Sequence, residues 1–220
     1  MNLQKVKAVL FDLDGTLLDT VRDIGACVND IMRRYGYPEG TYEQICARVG
    51  HGARDLVRDS APAGTDDAVI DKMWQEYVAH YRENCTGITA YYPGVQELLA
   101  FLQGRGLLLG VITNKTQATA ERVMHHYFPD VAFDILWGNN GERPLKPSPE
   151  SGALACATLG VAPDQVLFVG DGDTDMAFAS TCGFIGCGVT WGYRDRATLR
   201  RCGADFLVES FTELQNMLVL

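Results

Sequence analysis

Three short apolar runs in this chain stop on residues that carry chemistry, and the stretches between them show helical periodicity. The first, Val6-Lys7-Ala8-Val9-Leu10-Phe11, leads into Asp12-Leu13-Asp14-Gly15-Thr16. The second, residues 107–112, leads into Thr113-Asn114-Lys115. The third, Val166-Leu167-Phe168-Val169, leads into Gly170-Asp171-Gly172-Asp173-Thr174-Asp175. Continuous apolar runs that alternate with helices predict a parallel sheet covered on both faces. In such α/β folds ligands bind beyond the carboxyl ends of the strands, so one site can collect all three sets of residues.

Val21, Ile24, Val28, Ile31 and Tyr35 recur at helical spacing, with Asp19 or Thr20 as a candidate cap and Gly36-Tyr37-Pro38 as the stop. Shorter helices are predicted near 41–48, 53–60 and 66–83, the last with Trp74, Tyr77, Val78 and Tyr81 on its apolar face. No strand-like run interrupts residues 20–85. That stretch reads as a small helical bundle inserted after the first strand, and Tyr91-Tyr92-Pro93-Gly94 marks the return. Helices near 94–104, 116–127, 149–159 and 174–181 then alternate with strands near 107–113, 133–137 and 166–170, and apolar runs near 184–189 and 205–208 add strands.

Carboxylates at the tip of a buried strand are costly unless a metal or a reaction needs them. Of Asp12 and Asp14, one can attack an electrophile while the other handles protons, and both can help to hold a hard cation such as Mg²⁺. The bland alternative is a strand followed by an Asp-Gly turn. Lys146, isolated in Pro144-Leu145-Lys146-Pro147-Ser148-Pro149, would by default be a solvent lysine. An acidic helix start accounts for Asp173 well, through the helix dipole, but poorly for Asp171 at the end of a buried strand.

An Asp-x-Asp-Gly-Thr segment after a strand, a later Lys146-Pro147 loop, and Gly170-Asp171 followed by Asp175 form a specific combination. It resembles the haloacid dehalogenase (HAD) superfamily of phosphohydrolases over essentially the whole chain. The resemblance implies a Rossmann-like parallel sheet core of α/β class, residues 1–18 and 90–220, with an inserted small helical cap domain of C1 type, residues 19–89. Linkers near 16–20 and 85–92 would let that cap swing. Asp12 would be the nucleophile, forming an aspartyl-phosphate, and Asp14 the general acid and base. Asp12, Asp171 and the Asp14 backbone carbonyl would hold Mg²⁺, while Thr16 orients Asp14 or the turn and Asp175 orients a water or Lys146. Thr113 and Asn114 would bind phosphoryl oxygens and Lys146 would add positive charge. Lys115 is left between a site role and solvent.

Specificity in capped relatives depends on residues lowered by the cap, and the candidate is Val49-Gly50-His51-Gly52-Ala53-Arg54, with Gly50, His51, Gly52 and Arg54 as substrate contacts. This loop, together with Tyr92-Pro93-Gly94-Val95, Thr113-Asn114-Lys115 and Thr190-Trp191-Gly192-Tyr193, resembles the phosphoglycolate phosphatase branch. His51 departs from the smaller polar residue expected there. A small phosphate ester is therefore the expected substrate, with 2-phosphoglycolate the leading candidate. A pyrophosphatase, a sugar-phosphate phosphatase, a phosphomutase and a non-catalytic binding protein of the same fold remain alternatives.

The net charge of −9 argues against general nucleic-acid binding and against an anionic membrane surface. Seven cysteines without a CxxC pair suggest neither a disulfide framework nor a zinc site. With no signal peptide and no apolar run of membrane-spanning length expected, the expected compartment is the cytoplasm. Oligomeric state is not readable from the sequence.

Overall fold

The computed structural model describes residues 3–219. Strand β1 (Ala8–Phe11) is buried along its whole length, as four consecutive apolar residues require. It is followed by β2 (Leu18–Asp19) and four helices: α1 (Val21–Arg34), α2 (Tyr42–Arg48), α3 (Ala53–Ser60) and α4 (Asp67–Asn84). The chain returns through β3 (Ala90–Tyr91). Then come α5 (Val95–Gly104), β4 (Leu108–Thr116), α6 (Gln117–Tyr127), β5 (Ile135–Asn139), α7 (Glu150–Leu159), β6 (Val166–Gly170) and α8 (Asp173–Cys182). The described chain ends with β7 (Ile185–Val189), α9 (Arg196–Arg201), β8 (Phe206–Val208) and α10 (Phe211–Val219).

The six-stranded sheet has the order β5-β4-β1-β6-β7-β8, and every neighbouring pair is parallel. Ala8 stands in register with both Leu108 and Val166. The period of two then divides the strand between two cores. Val9 and Phe11 join the apolar cluster that includes α5 and α10, whereas Ala8 and Leu10 face Phe168, Phe178 and Ala155 on the other side. From β1 the chain runs to β4 on one side and later crosses to β6 on the other. The carboxyl ends of these three strands flank the point where the strand order reverses, the usual ligand position in such sheets.

The inserted helices hold together by their own stripes. Val21, Ile24, Val28 and Ile31 are buried on α1 as expected, and α1 stops at Gly36, whose φ of +70° closes the C-terminal turn. The buried stripe of α4 is Ile70, Met73, Tyr77 and Tyr81. Trp74 and Val78, expected on that face, lie at its half-buried margin, because the neighbouring helices α1 and α3 meet α4 one residue around the cylinder. Outside this bundle, β2 and β3 pair antiparallel with Leu18 opposite Tyr91, so the chain enters and leaves the helices side by side.

Two further expectations need correction. The Thr113-Asn114-Lys115 segment lies within β4 rather than beyond it, and the register with β5 shifts between Ile112 and Thr116. Such a bulge re-aims side chains at a strand end. Thr20 precedes α1 but makes no side-chain cap. Its hydroxyl is turned to Asp14, and the Tyr193 phenol oxygen accepts from the backbone N–H groups of Thr20 and Val21 instead, each at 3.1 Å.

Candidate active site

Asp12 follows the last residue of β1, and its backbone N–H donates to the Val169 carbonyl of β6 at 2.9 Å. That sheet bond fixes its carboxylate beside the start of α8. Lys146 reaches in from the loop before α7, with Nζ 2.7 Å from Asp12 Oδ1 and 2.7 Å from Asp175 Oδ1. The lysine, expected by default in solvent, is buried. Asp175 Oδ2 accepts from the Gly172 N–H at 2.8 Å. Asp171 packs against the turn after β1 and the loop after β7. A Cβ on Gly15 would stand 2.3 Å, and one on Gly192 2.4 Å, from its carboxylate group. Gly15 also has a φ of +81°, so a side chain there is excluded on both counts.

Asp12, Asp171 and Asp175 each present an oxygen within 4.8 Å of the others, a set of hard donors that can hold a metal ion. One ammonium among three buried carboxylates leaves two negative charges in excess. Burial pushes the Asp12 carboxyl up to about 7 against the pull of Lys146, with Asp175 and Asp14 adding to the rise. Burial, then Asp175 and Asp12, hold Asp171 well above the usual carboxylate range. Burial opposes the Lys146 charge, but Asp12 and Asp175 overcome it and raise its pKa. A divalent cation matches this charge excess and this donor type.

Asp14 lies on the next side of the turn. Its Oδ1 accepts from Thr20 Oγ1 at 2.5 Å and stands 2.8 Å from Lys115 Nζ. Lys115 is therefore a buried site residue, which its sequence context did not decide. Thr16, expected to orient Asp14 or the turn, donates to Asp171 Oδ1 at 3.0 Å, because Gly15 lets the turn fold back over β6. Thr113 lines the cavity. Asn114 also lines it, but its amide is committed: Nδ2 donates to the carbonyls of Gly50 and Lys146 at 2.8 and 3.0 Å, and Oδ1 accepts from the Lys146 N–H. It holds the lysine loop and the helical insert together, a role different from the expected phosphoryl contact.

Above these groups is a cavity of about 60 Å³. Ile24, Val49, Leu56, Tyr77, Val78 and Tyr81 of the insert form its apolar roof. Gly50 and Gly52 are on its wall. His51 and Arg54 are not brought to the substrate space. His51 Nε2 is 3.1 Å from Asp173 Oδ2, and Arg54 pairs with Asp71 and Asp67 at 2.7 and 3.3 Å within the insert. On a helix start only part of the loop can face inwards, and here the glycines take that side.

Three residues of the site were given no site role from the sequence. Arg194 donates to the carbonyls of Cys46 and Val49, both at 2.7 Å, and to Asp173 at 3.0 Å. The Tyr193 N–H donates to Asp171 Oδ2 at 2.7 Å. Tyr81 receives Lys115 Nζ at 2.9 Å. Tyr193 and Arg194 had a usable signal, since they follow an apolar run that becomes β7, as the other site residues follow theirs.

The chain is similar to known proteins over nearly its whole length. The family model described as haloacid dehalogenase-like hydrolase matches residues 9–189. The chain is 34% identical over 222 residues to a phosphoglycolate phosphatase of Chromobacterium violaceum, covering 99% of each. It is 33% identical over 219 residues to an N-acetylmuramic acid 6-phosphate phosphatase of Pseudomonas aeruginosa, covering 99% of this chain and 97% of that one. The crystal structure of a predicted phosphoglycolate phosphatase from Haemophilus somnus superposes with a TM-score of 0.89 at 25% identity, over 98% of this chain and 99% of that chain.

Proposed function

This chain belongs to the haloacid dehalogenase-like hydrolase family and is a phosphatase within it, and from that premise we propose that it hydrolyses the phosphate monoester of a small organic acid, with 2-phosphoglycolate the leading substrate. The observation that carries this reading is the pairing of two carboxylates with two different lysines, Asp12 with Lys146 and Asp14 with Lys115. Two environments for two neighbouring carboxylates permit two roles. The two relatives named above act, by their names, on phosphorylated acids, and the small cavity favours a compact ester.

Asp12 attacks phosphorus as the ester oxygen leaves, and the phosphoryl group passes to the Asp12 carboxylate. Asp14 gives a proton to the departing alkoxide and then takes one from the water that hydrolyses the acyl phosphate. Lys146 stabilises the charge that develops on the phosphoryl oxygens while Asp175 holds its ammonium in place. Thr113 stands at the cavity wall to donate to the same oxygens. Asp12, Asp171 and the Asp14 carbonyl would hold Mg²⁺. When bound, Mg²⁺ supplies the positive charge that lets an anionic nucleophile approach an anionic phosphate.

Residues 19–89 act as a cap over residues 1–18 and 90–220, hinged at the β2–β3 pair. The contacts of Asn114, Arg194 and Asp173 with the loop at 46–51 support a closed position. No helix among the described residues is long and apolar enough to cross a membrane. The seven cysteines are free thiols, which supports a reducing, cytoplasmic setting.

Phosphate release from 2-phosphoglycolate, sugar phosphates, pyrophosphate and nucleotides, each with Mg²⁺ and with chelator, tests the reading. A Mg²⁺-dependent preference for the acid ester is expected. Preference for pyrophosphate or a sugar phosphate would reassign the substrate, and no release from any of them would remove the phosphatase.

A further inference from the structure

Lys115 is the cation in the cavity with a donor that the phosphoryl chemistry leaves unused. Arg194 is spent on three carbonyls of the insert and on Asp173, and Lys146, shared between Asp12 and Asp175, keeps its third donor for the phosphoryl oxygens in the reaction above. Lys115 has three N–H donors, and among the described residues two partners are seen, Asp14 Oδ1 at 2.8 Å and Tyr81 Oη at 2.9 Å. Its side chain is 4% exposed, yet it lines the cavity. A buried ammonium aimed into a cavity with an unclaimed donor is costly unless a ligand completes it.

The partner is equally placed. Tyr81 comes from α4 of the insert, stacks on Tyr77 at 5.6 Å and lies over the ammonium, whose Nζ is 4.5 Å from its ring centroid. Its oxygen accepts from Lys115, so its own proton is free to be given to an anion. Burial keeps that phenol protonated.

We propose that Lys115 and Tyr81 form the subsite that recognises a carboxylate carried by the substrate next to its phosphate ester. This rests on the phosphatase reading above and extends it to the leaving group. Asp14, the proposed proton donor to the ester oxygen, is 2.8 Å from Lys115, so whatever is attached to that oxygen meets this ammonium. A carboxylate one carbon removed from the ester oxygen accepts the spare N–H of Lys115 and the O–H of Tyr81 together. A second phosphate does not suit the place. It carries up to two charges and three oxygens, against one ammonium, one phenol and the apolar side chains of Ile24, Leu56 and Val78.

The test compares 2-phosphoglycolate with ethyl phosphate, which keeps the two carbons and the ester but has no carboxylate, in the presence of Mg²⁺. The wild-type chain is expected to prefer 2-phosphoglycolate by at least about 100-fold in kcat/KM, well within the ~10⁴–10⁵ reached when a site's buried polar groups would otherwise be left unpaired. Lys115→Met retains the aliphatic stem and loses the charge. Its fall in kcat/KM is expected to be at least about tenfold larger on 2-phosphoglycolate than on ethyl phosphate, mostly in KM, and Lys115→Arg is expected to recover part of the preference. Tyr81→Phe removes a single oxygen and gives an independent version of the same measurement should Lys115→Met fail to fold. Equal losses on both esters would overturn the proposal, since Lys115 would then act only through Asp14. So would a wild-type chain that hydrolyses ethyl phosphate as well as 2-phosphoglycolate, with the phosphatase reading intact. Hydrolysis of neither ester nor of any other monoester would remove the phosphatase reading itself and this subsite with it.

Discussion

The guanidinium of Arg194 donates to the Cys46 carbonyl at 2.7 Å, closing the last turn of α2 with a side chain that follows β7. Unpaired carbonyls at a helix C-terminus favour a cation, and the same guanidinium reaches the Val49 carbonyl and Asp173. Arg194 thus fastens the helical insert to the sheet at the mouth of the cavity, beside the contacts of Asn114 with Gly50 and of Asp173 with His51.

Replacing Arg194 with Ala should loosen that fastening. Charge-assisted hydrogen bonds contribute about 1.5–3 kcal/mol each, and water replaces part of the set in an open state. A net loss of about 2 kcal/mol lowers the closed-to-open ratio roughly 30-fold. Apparent affinity scales with the fraction of closed chains, so KM should rise with little change in melting temperature. Hydrogen exchange at residues 46–53 reads the opening directly. Unchanged exchange together with unchanged KM would show that Arg194 does not hold the insert.

His51 gives the same junction a dependence on pH. Its hydrogen bond with Asp173 raises the imidazole above its ordinary 6.5, and Asp173 is held far below the usual carboxylate range by the same bond and by Arg194. A raised histidine pKa contributes in full below the unperturbed value, and the contribution disappears as pH rises through the perturbed one. Protection at residues 50–53, measured relative to the base-catalysed exchange of an open chain at the same pH, should therefore fall on going from pH 6 to pH 9. NMR titration should find the His51 pKa above 6.5, and Asp173→Asn should lower it. A pKa indifferent to that substitution would disprove the pairing.

These two residues mark where the sequence stops being legible. Asp12 and Asp171 could be read because each follows an apolar run, and strand ends in a parallel sheet converge by geometry alone, whereas Lys146, in a proline-rich loop, was legible only through the family resemblance. The glycines at 50 and 52 announced a loop near the site, but which of its side chains faces inwards depends on how the insert lies on the sheet. Hence Arg54 turned to Asp71 and His51 to Asp173. On α4 the expected Tyr77 and Tyr81 are buried, but Met73 rather than Trp74 completes the stripe for a similar reason, since both are apolar and only the packing of α1 and α3 chooses between them. Helix α9 buries Leu199 alone, so no periodicity exposes it.

Metal binding should stabilise the chain through the carboxylates it neutralises. Because burial raises Asp12 to about 7 and Asp171 well above its usual range, protons compete with the ion, and binding should strengthen as pH rises through 7. Adding millimolar Mg²⁺ should raise the melting temperature more at pH 8 than at pH 5.5. Asp171→Asn should abolish that increment. An increment independent of both pH and Asp171 would place the ion elsewhere.

Asp12→Asn separates chemistry from folding. Without the nucleophile, turnover should fall by at least about 10⁴-fold. Stability has the opposite sign. A carboxyl raised by burial makes folding take up protons between the ordinary 3.8 and about 7, so in the absence of metal its ionised form opposes folding above that window. Asp12→Asn should therefore melt at a higher temperature than the wild-type chain in chelator at pH 8, with a smaller difference at pH 4. A lower melting temperature at pH 8 would mean that the Lys146 pairing outweighs the excess negative charge.

Asp14→Asn distinguishes proton transfer from mere occupancy of the turn. Asp14 is held by Thr20 at the threshold of α1 and by Lys115 at the end of β4, and asparagine can keep the first of these contacts. An alkoxide leaves poorly without a proton, whereas a nitrophenolate hardly needs one. The loss in kcat/KM, which reports the first step, should be about 10²–10⁴-fold on an alkyl phosphate, the usual span for general acid catalysis, and much smaller on p-nitrophenyl phosphate. With the aryl ester, burst kinetics would show the phospho-enzyme accumulating, because Asp14 is also needed to deprotonate the water that attacks it in the second step. Full kcat/KM on both esters with a burst on each would confine Asp14 to the second step, and equal kcat/KM losses without a burst would confine it to holding Lys115 and the turn.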